Sequence, residues 1–214
     1  MNRQDMTGSK KKNLFLAGEV GVGKSTAIRK ALALLGIWDG KSGQTSALGS
    51  DQYGLSWKSI GGFRTVSLPS QVVGESYRVY IESTWEKTPH DQPHLIGIRY
   101  QKAPRKVFSA AFERAGVDIL NHLPEKPALL LMDEIGLMED KAYCFQRKVL
   151  ELLAGPIPVL GVVKPKEGAL TNAVREQNNT EVWTITEQNR EQIPGEIFSF
   201  LKFFLPLLFS AHYN

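Results

Sequence analysis

The chain has 214 residues, 42% of them hydrophobic and 22% charged, with a formal net charge of +4. That length suits one domain with a sizeable core, and the composition is ordinary for a globular protein. The single cysteine, Cys144, excludes an internal disulfide and any multi-cysteine metal site, and it fits a reducing, cytoplasmic compartment.

The amino-terminal stretch "MNRQDMTGSKKK" has no apolar core, so no secretory signal is expected. Its basic run, Lys10 to Lys12, reads as a solvated lead-in. No basic helix or aromatic-interleaved basic stretch follows, so no nucleic-acid partner is expected. The first strand is predicted over Lys12–Ala17. A glycine loop comes next, then a helix over Lys24–Leu35 with Ala27, Ile28, Ala31, Leu32 and Leu35 on one face and Gly36 as its stop. From Trp38 to Ser59 the chain is rich in Gly, Ser and Gln and reads as a long loop. Three strand-like pieces follow, Gly61–Leu68, Glu75–Ser83 and His94–Gln101, with Tyr77, Val79 and Ile81 alternating onto one face. They read as an antiparallel meander, part of an insertion over about 38–104.

A helix is predicted over Arg105–Asn121. "PALLLM", Pro127–Met132, is a continuous apolar run, the pattern of a strand buried on both faces of a parallel sheet. Asp140 is expected to cap a helix ending at Ala154 and Gly155. Pro156–Lys164 and Thr180–Ile185 read as further strands. Thr186 is expected to cap a last, apolar helix over about 187–210. Lys202 and Pro206 interrupt that segment, and it is short for a membrane span. It is therefore expected to be buried or partner-facing, with a homodimer through it where its apolar face is exposed. Alternating strands and helices with buried strands predict one α/β domain of three layers, 1–214, with a mostly parallel sheet plus the inserted meander.

Two stretches carry chemistry. "GEVGVGKST", Gly18 to Thr26, completes the phosphate-loop (Walker A) pattern G-x-x-x-x-G-K-[ST] between a strand and a helix. Glycines let the backbone wrap with its N–H groups turned onto phosphate oxygens. The helix adds its positive end. Gly18, Glu19, Val20, Gly21, Val22 and Gly23 would line the cradle, and Lys24 would reach the β- and γ-phosphates. The Ser25 hydroxyl would ligate Mg²⁺, and Thr26 would sit near the α-phosphate. The second stretch is "LLLMDEIG", Leu129 to Gly136, a Walker B-like strand end. Asp133 would hold Mg²⁺ beside Ser25. Glu134, directly after it, would accept the proton of an attacking water, which favours hydrolysis.

"GVGKST", "GGFRT", "LLLMDEIGLME", "PVLGVVKPK" and "TITEQNR" occur in that order. Together they resemble the P-loop nucleoside-triphosphatase family first described from thermophiles, which includes the cancer-related nucleoside-triphosphatase. The likeness covers about residues 12 to 200. It implies a RecA-like P-loop NTPase core with an additional strand and a catalytic glutamate. It also implies slow, Mg²⁺-dependent hydrolysis of nucleoside 5′-triphosphates such as ATP and GTP to the diphosphate. By the same resemblance Lys24 is the phosphate lysine, Asp133 the metal residue and Glu134 the base, with Asn189 and Arg190 near the nucleotide. The chain departs from the family where "GFYT" is replaced by "GFRTVSLPS", where "RVGxY" is replaced by "YQKAPRKVF", and in the tail beyond Leu205.

Arg64, Arg99, Arg105 and Arg190 are the candidates for a charge-stabilising finger. Two other classes share the phosphate loop. A small-molecule or nucleoside kinase would need an acceptor pocket, which the 38–101 region could supply, and usually an arginine-dense lid, which is not visible. A nucleotide-gated binding module would hydrolyse only with a partner present. Phosphate release without an acceptor separates the first from a hydrolase, and comparing basal turnover with and without the apolar tail separates the second.

Overall fold

The structure, a computed structural model, describes residues 11–37 and 57–210. Lys10 and the expected loop from Trp38 to residue 56 lie outside the described residues. Eight strands form one sheet in the order β5-β4-β3-β2-β6-β7-β1-β8. They are β1 Asn13–Ala17, β2 Ile60–Pro69, β3 Glu75–Ser83, β4 Leu95–Tyr100, β5 Lys106–Val107, β6 Leu129–Ile135, β7 Val159–Val163 and β8 Thr180–Thr184. The β2–β6, β6–β7, β7–β1 and β1–β8 pairs are parallel. The β2–β3, β3–β4 and β4–β5 pairs are antiparallel. The strand β7 lies between β1 and β6, so an additional strand separates the two that carry the motifs.

The period-two geometry of β1 divides the core. Leu14 and Leu16 face one layer, which holds helix α1 (Lys24–Leu34) and helix α6 (Ile193–Ser210). Phe15 and Ala17 face the other. That second layer holds α2 (Ser109–Ala111), α3 (Val117–Asn121), α4 (Tyr143–Ala154) and α5 (Ala169–Glu176). Asn13 is fully buried, yet its amide donates to Leu153 O and Thr180 Oγ1 and accepts from Val159 N–H. That arrangement stitches β1, β7 and β8 together at the end away from the glycine loop. Lys12 belongs to the same knot, donating to the Leu153 and Ile157 carbonyls. It is a structural lysine and not part of a solvated lead-in, and burial holds its pKa below the usual lysine range.

The expected meander is present and grows directly from the parallel sheet. Ile60 to Arg64 of β2 pair with Leu129 to Asp133 of β6, and the rest of β2 runs on past the carboxyl end of β6 as one edge of an antiparallel ribbon. Gly62 makes this close approach workable. Its φ is +107°, and a Cβ there would lie 2.0 Å from the Leu131 carbonyl oxygen.

Several local expectations are corrected. Residues 106–107 pair with β4 as a short strand, so the helix expected from Arg105 starts at Ser109, and its middle, Phe112–Gly116, is a π turn. Asp140 does not cap α4, which starts three residues later at Tyr143. The Cys144 amide is met instead by the Glu113 carboxylate, from the helix packed beside it. Thr186 does not cap α6. It opens a turn that Asn189 closes by accepting from the Thr186 amide and donating to the Thr184 carbonyl. The helix begins at Ile193, with Pro194 in its first turn, where a missing N–H costs nothing. Helix α5, short and polar in sequence, was not anticipated. Ile193, Ile197 and Leu201 bury one face of α6 in the α1 layer. No described helix is long and apolar enough to cross a membrane.

Candidate functional site

The loop after β1 is shaped by its glycines. Gly18, Gly21 and Gly23 have φ of +152°, +83° and +110°, where only glycine sits without strain. At Gly18 space is also short, since a Cβ would lie 2.4 Å from the Ile185 carbonyl. Val22 tucks into the core and anchors the loop, while Val20 at its tip is exposed. Lys24, in the first turn of α1, is buried, and its amine donates to the carbonyls of Gly18 at 2.8 Å and Glu19 at 2.7 Å. The loop is thus drawn around its own lysine. Thr26 Oγ1 accepts from Arg29 at 3.2 Å.

Opposite the loop, β6 extends beyond the predicted Met132 to Ile135, so Asp133 and Glu134 stand at the carboxyl end of the strand. The register with β7 slips between Met132 and Ile135, and the Asp133–Glu134 peptide there is cis. Ser25 Oγ donates to Asp133 Oδ1 at 3.3 Å. The two residues are 108 positions apart in sequence, and the fold brings them into contact. Burial pushes the Asp133 carboxyl up to about 6, with the Glu134 charge adding to the rise. The Ser25 hydroxyl, Lys24 and Arg29 pull the other way.

Glu134 Oε1 pairs with Lys164 Nζ at 2.7 Å, and both side chains are partly exposed. Lys164 directly follows β7, the additional strand, and its amide donates to the Ile135 carbonyl. Its stem lies against Gly136, where a Cβ would meet Lys164 Cδ at 2.9 Å. Sequence reasoning treated Lys164 only as a strand terminus. The available signal was its place, one residue past a buried parallel strand, which is where such sheets present ligand-facing groups.

Glu139 is nearly fully buried, and its carboxylate accepts from the Gly136 amide at 3.1 Å, which closes the loop after β6. Burial pushes its carboxyl up to about 7, against the pull of those backbone hydrogen bonds and of Lys164. A carboxyl raised in the folded state is neutral in both states below about pH 4.5. Between pH 4.5 and 7 the unfolded chain loses that proton first, so folding stability falls as pH rises through this window. Glu139→Gln keeps an acceptor for Gly136 without the charge. It is expected to be more stable than wild type at pH 8 by roughly 3 kcal/mol, with no such gain at pH 4.5, read as thermal midpoints at the two pH values.

Two cavities flank the loop. A groove of about 550 Å³ is lined by Lys24, Ser25, Thr26 and Glu134 on one side and by the antiparallel ribbon on the other. A smaller cavity of about 270 Å³ lies between the loop, α1 and the turn after β8, with Thr26, Lys30 and Arg190 in its wall. Arg190 is therefore beside the loop, 3.7 Å from Glu191. Asn189 is committed to its turn. Arg64 lies opposite Asp133 in the β2–β6 register, but its guanidinium is held by the buried Glu82 at 2.7 Å, which His90 also contacts. Arg99 and Arg105 line the groove.

The arrangement offers a glycine loop, a buried lysine, a hydroxyl–carboxylate pair and a lysine-paired carboxylate around one groove. Ser25 and Asp133 are hard oxygen donors in contact, which suits Mg²⁺, an ion usually held by one or two protein oxygens together with substrate phosphates. Among the described residues no group of three or more His, Cys, Asp or Glu forms a self-sufficient metal site.

A family model described as NTPase matches residues 58–198. The nucleoside-triphosphatase THEP1 of Thermotoga maritima is 24% identical over 190 residues, covering 89% of this chain and 95% of that protein. The cancer-related nucleoside-triphosphatase homolog of Mus musculus is 28% identical over 203 residues, covering 87% and 94%. The crystal structure of THEP1 from the hyperthermophile Aquifex aeolicus aligns with a TM-score of 0.60 at 21% identity, over 88% of this chain and 98% of that one, and shares its fold.

Proposed function

Because the chain belongs to the NTPase family, whose model matches most of its length, we propose that it hydrolyses nucleoside 5′-triphosphates, ATP and GTP among them, to the diphosphate and phosphate with Mg²⁺. The observation that carries this reading is the Ser25–Asp133 contact, with Glu134 in the same groove as Lys24. Gly18 to Thr26 would cradle the polyphosphate through main-chain N–H groups, and Lys24 would turn from the Gly18 and Glu19 carbonyls to the β- and γ-oxygens. Ser25 and Asp133 would hold Mg²⁺, which when bound neutralises charge building on the phosphate oxygens. Glu134 would orient a water and accept its proton. Lys164 would fix the rotamer of that carboxylate. Positioning and charge stabilisation carry most of the barrier reduction in such reactions, since little covalent chemistry is asked of the protein.

The polyphosphate also has a direction. Thr26, near the α-phosphate, borders both cavities, whereas Lys24, Ser25 and Glu134 border only the groove. The nucleoside would therefore leave toward the small cavity and Arg190, and the γ-phosphate would face the groove. A homodimer through α6, whose Phe203 is half exposed, and a cytoplasmic location belong to the same reading, which includes no nucleic-acid or membrane partner.

A phosphate-release panel over ATP, GTP, CTP and UTP tests it, run with Mg²⁺ and no acceptor molecule. Release from more than one nucleotide, reduced to background by a chelator, is the expected result. Release that requires an added acceptor would favour a kinase instead.

A further inference from the structure

Hydrolysis at Glu134 needs room for one water, whose share of liquid volume is about 30 Å³. The whole groove, phosphate end included, is about 550 Å³, and its lining runs on from Glu134 along the antiparallel ribbon. Its outer wall is built from one face of the antiparallel ribbon. Thr65 and Ser67 of β2, Val79 and Tyr77 of β3 and Arg99 of β4 alternate onto that face, as the period of two requires. Tyr77 and Arg99 are register partners on adjacent strands, and Tyr77 is 42% exposed. Arg105 and Lys106 stand at the neighbouring edge. No described carboxylate pairs with Arg99, Arg105 or Lys106, and Lys106 lies over the Phe108 ring at 5.1 Å.

The register separates these cations from the reacting phosphate. Arg64 is level with Asp133, and Pro69, five residues on, is level with Tyr77 and hence with Arg99. At about 3.4 Å per residue, Arg99 stands roughly 17 Å along the strand from Asp133. That separation along the strand exceeds the length of one arginine side chain and is the span of a second small molecule. Arginine and lysine select a phosphate dianion, and an exposed tyrosine beside them offers a face for a planar ring.

We propose that the outer half of the groove is a second ligand site, which takes a phosphomonoester bearing an aromatic ring. A nucleoside monophosphate is the simplest member of that class. Its phosphate would rest on Arg99 and Arg105 and its ring on Tyr77, beyond the γ-phosphate of the bound triphosphate. This rests on the nucleotide reading of the phosphate loop, because that reading directs the triphosphate's own base to the other cavity.

The test uses the full chain saturated with a non-hydrolysable ATP analogue and Mg²⁺, titrated calorimetrically with AMP and, separately, with inorganic phosphate. Saturable one-to-one AMP binding is expected, at least tenfold tighter than phosphate. It should be weakened at least tenfold in Arg99→Ala and in Arg105→Ala, and at least threefold in Tyr77→Ala, with analogue affinity unchanged in all three. Absence of saturable AMP binding, binding indifferent to these substitutions, or an equal loss of analogue affinity would overturn the proposal. The analogue titration that precedes the AMP titration keeps the two readings apart. A chain that fails to bind the analogue refutes the nucleotide reading, whereas a chain that binds it and shows no second site refutes only this one.

Discussion

Glu134→Gln is expected to bind Mg²⁺–triphosphate within about threefold of wild type and to release phosphate at least about 100-fold more slowly, the low end of what a positioned general base contributes. The substitution is close to isosteric. The glutamine oxygen can still accept from Lys164, 2.7 Å away in the native pair, so the rotamer and the groove wall are retained. What disappears is the ability to take a proton from water. Each tenfold loss corresponds to about 1.4 kcal/mol of barrier, so a 100-fold loss is near 3 kcal/mol, well above what a partly exposed ion pair contributes. Magnitude therefore separates a chemical role for Glu134 from a structural one. Lys164→Met supplies the complementary control, because it frees the carboxylate without removing it. A turnover loss smaller than that of Glu134→Gln is expected, since a base that has lost its positioning partner still accepts protons. Unchanged turnover in Glu134→Gln would refute its role as base.

The parts of this site that were legible in the sequence are those whose chemistry is local. The Gly18–Thr26 pattern declares itself because a positive-φ turn needs glycine at fixed offsets and the helix start needs Lys24 and Ser25 next to it. Asp133 and Glu134 were legible because a buried parallel strand reads as an apolar run and the first charges after it mark the carboxyl end. The layers followed from the same periodicity. Pairings between distant segments were not legible. Nothing near Lys164 indicates that its partner is Glu134, 30 positions earlier, because that contact exists only once β7 inserts between β1 and β6. Asp140 has the residue type of a cap, yet Glu113 from the adjacent helix meets the start of α4. The meander was visible as alternation. Its place as a wall of the groove was not, since that depends on β2 joining the parallel sheet at Ile60–Arg64 before leaving it. Helix α5 escaped notice because "ALTNAVRE" is only eight residues long and buries just Leu170, Thr171 and Val174, too few turns for the helical spacing to stand out.

Lys24→Ala is expected to differ from Glu134→Gln in binding, with triphosphate affinity reduced at least tenfold and turnover reduced at least about 100-fold. Lys24 is 8% exposed, and among the described residues its amine donates to two loop carbonyls. Removing it takes away a full positive charge and also leaves the Gly18 and Glu19 oxygens turned toward an incoming polyanion. Both effects act on the ground state and more strongly on the transition state, where charge builds on the phosphate oxygens, so binding and rate should both fall. Lys24→Arg is not expected to restore either, because the planar guanidinium presents a fork where the loop encloses a compact ammonium. Fluorescent-nucleotide titration and phosphate release on the same preparations read the two quantities, with far-UV circular dichroism confirming the fold. The pair of variants is more informative than either alone. Loss of binding in Lys24→Ala with retained binding in Glu134→Gln assigns the lysine to the phosphates and the carboxylate to the water. Retained binding in Lys24→Ala would mean that the polyphosphate does not occupy the loop, and the small cavity beside Arg190 would then be the place to look for it.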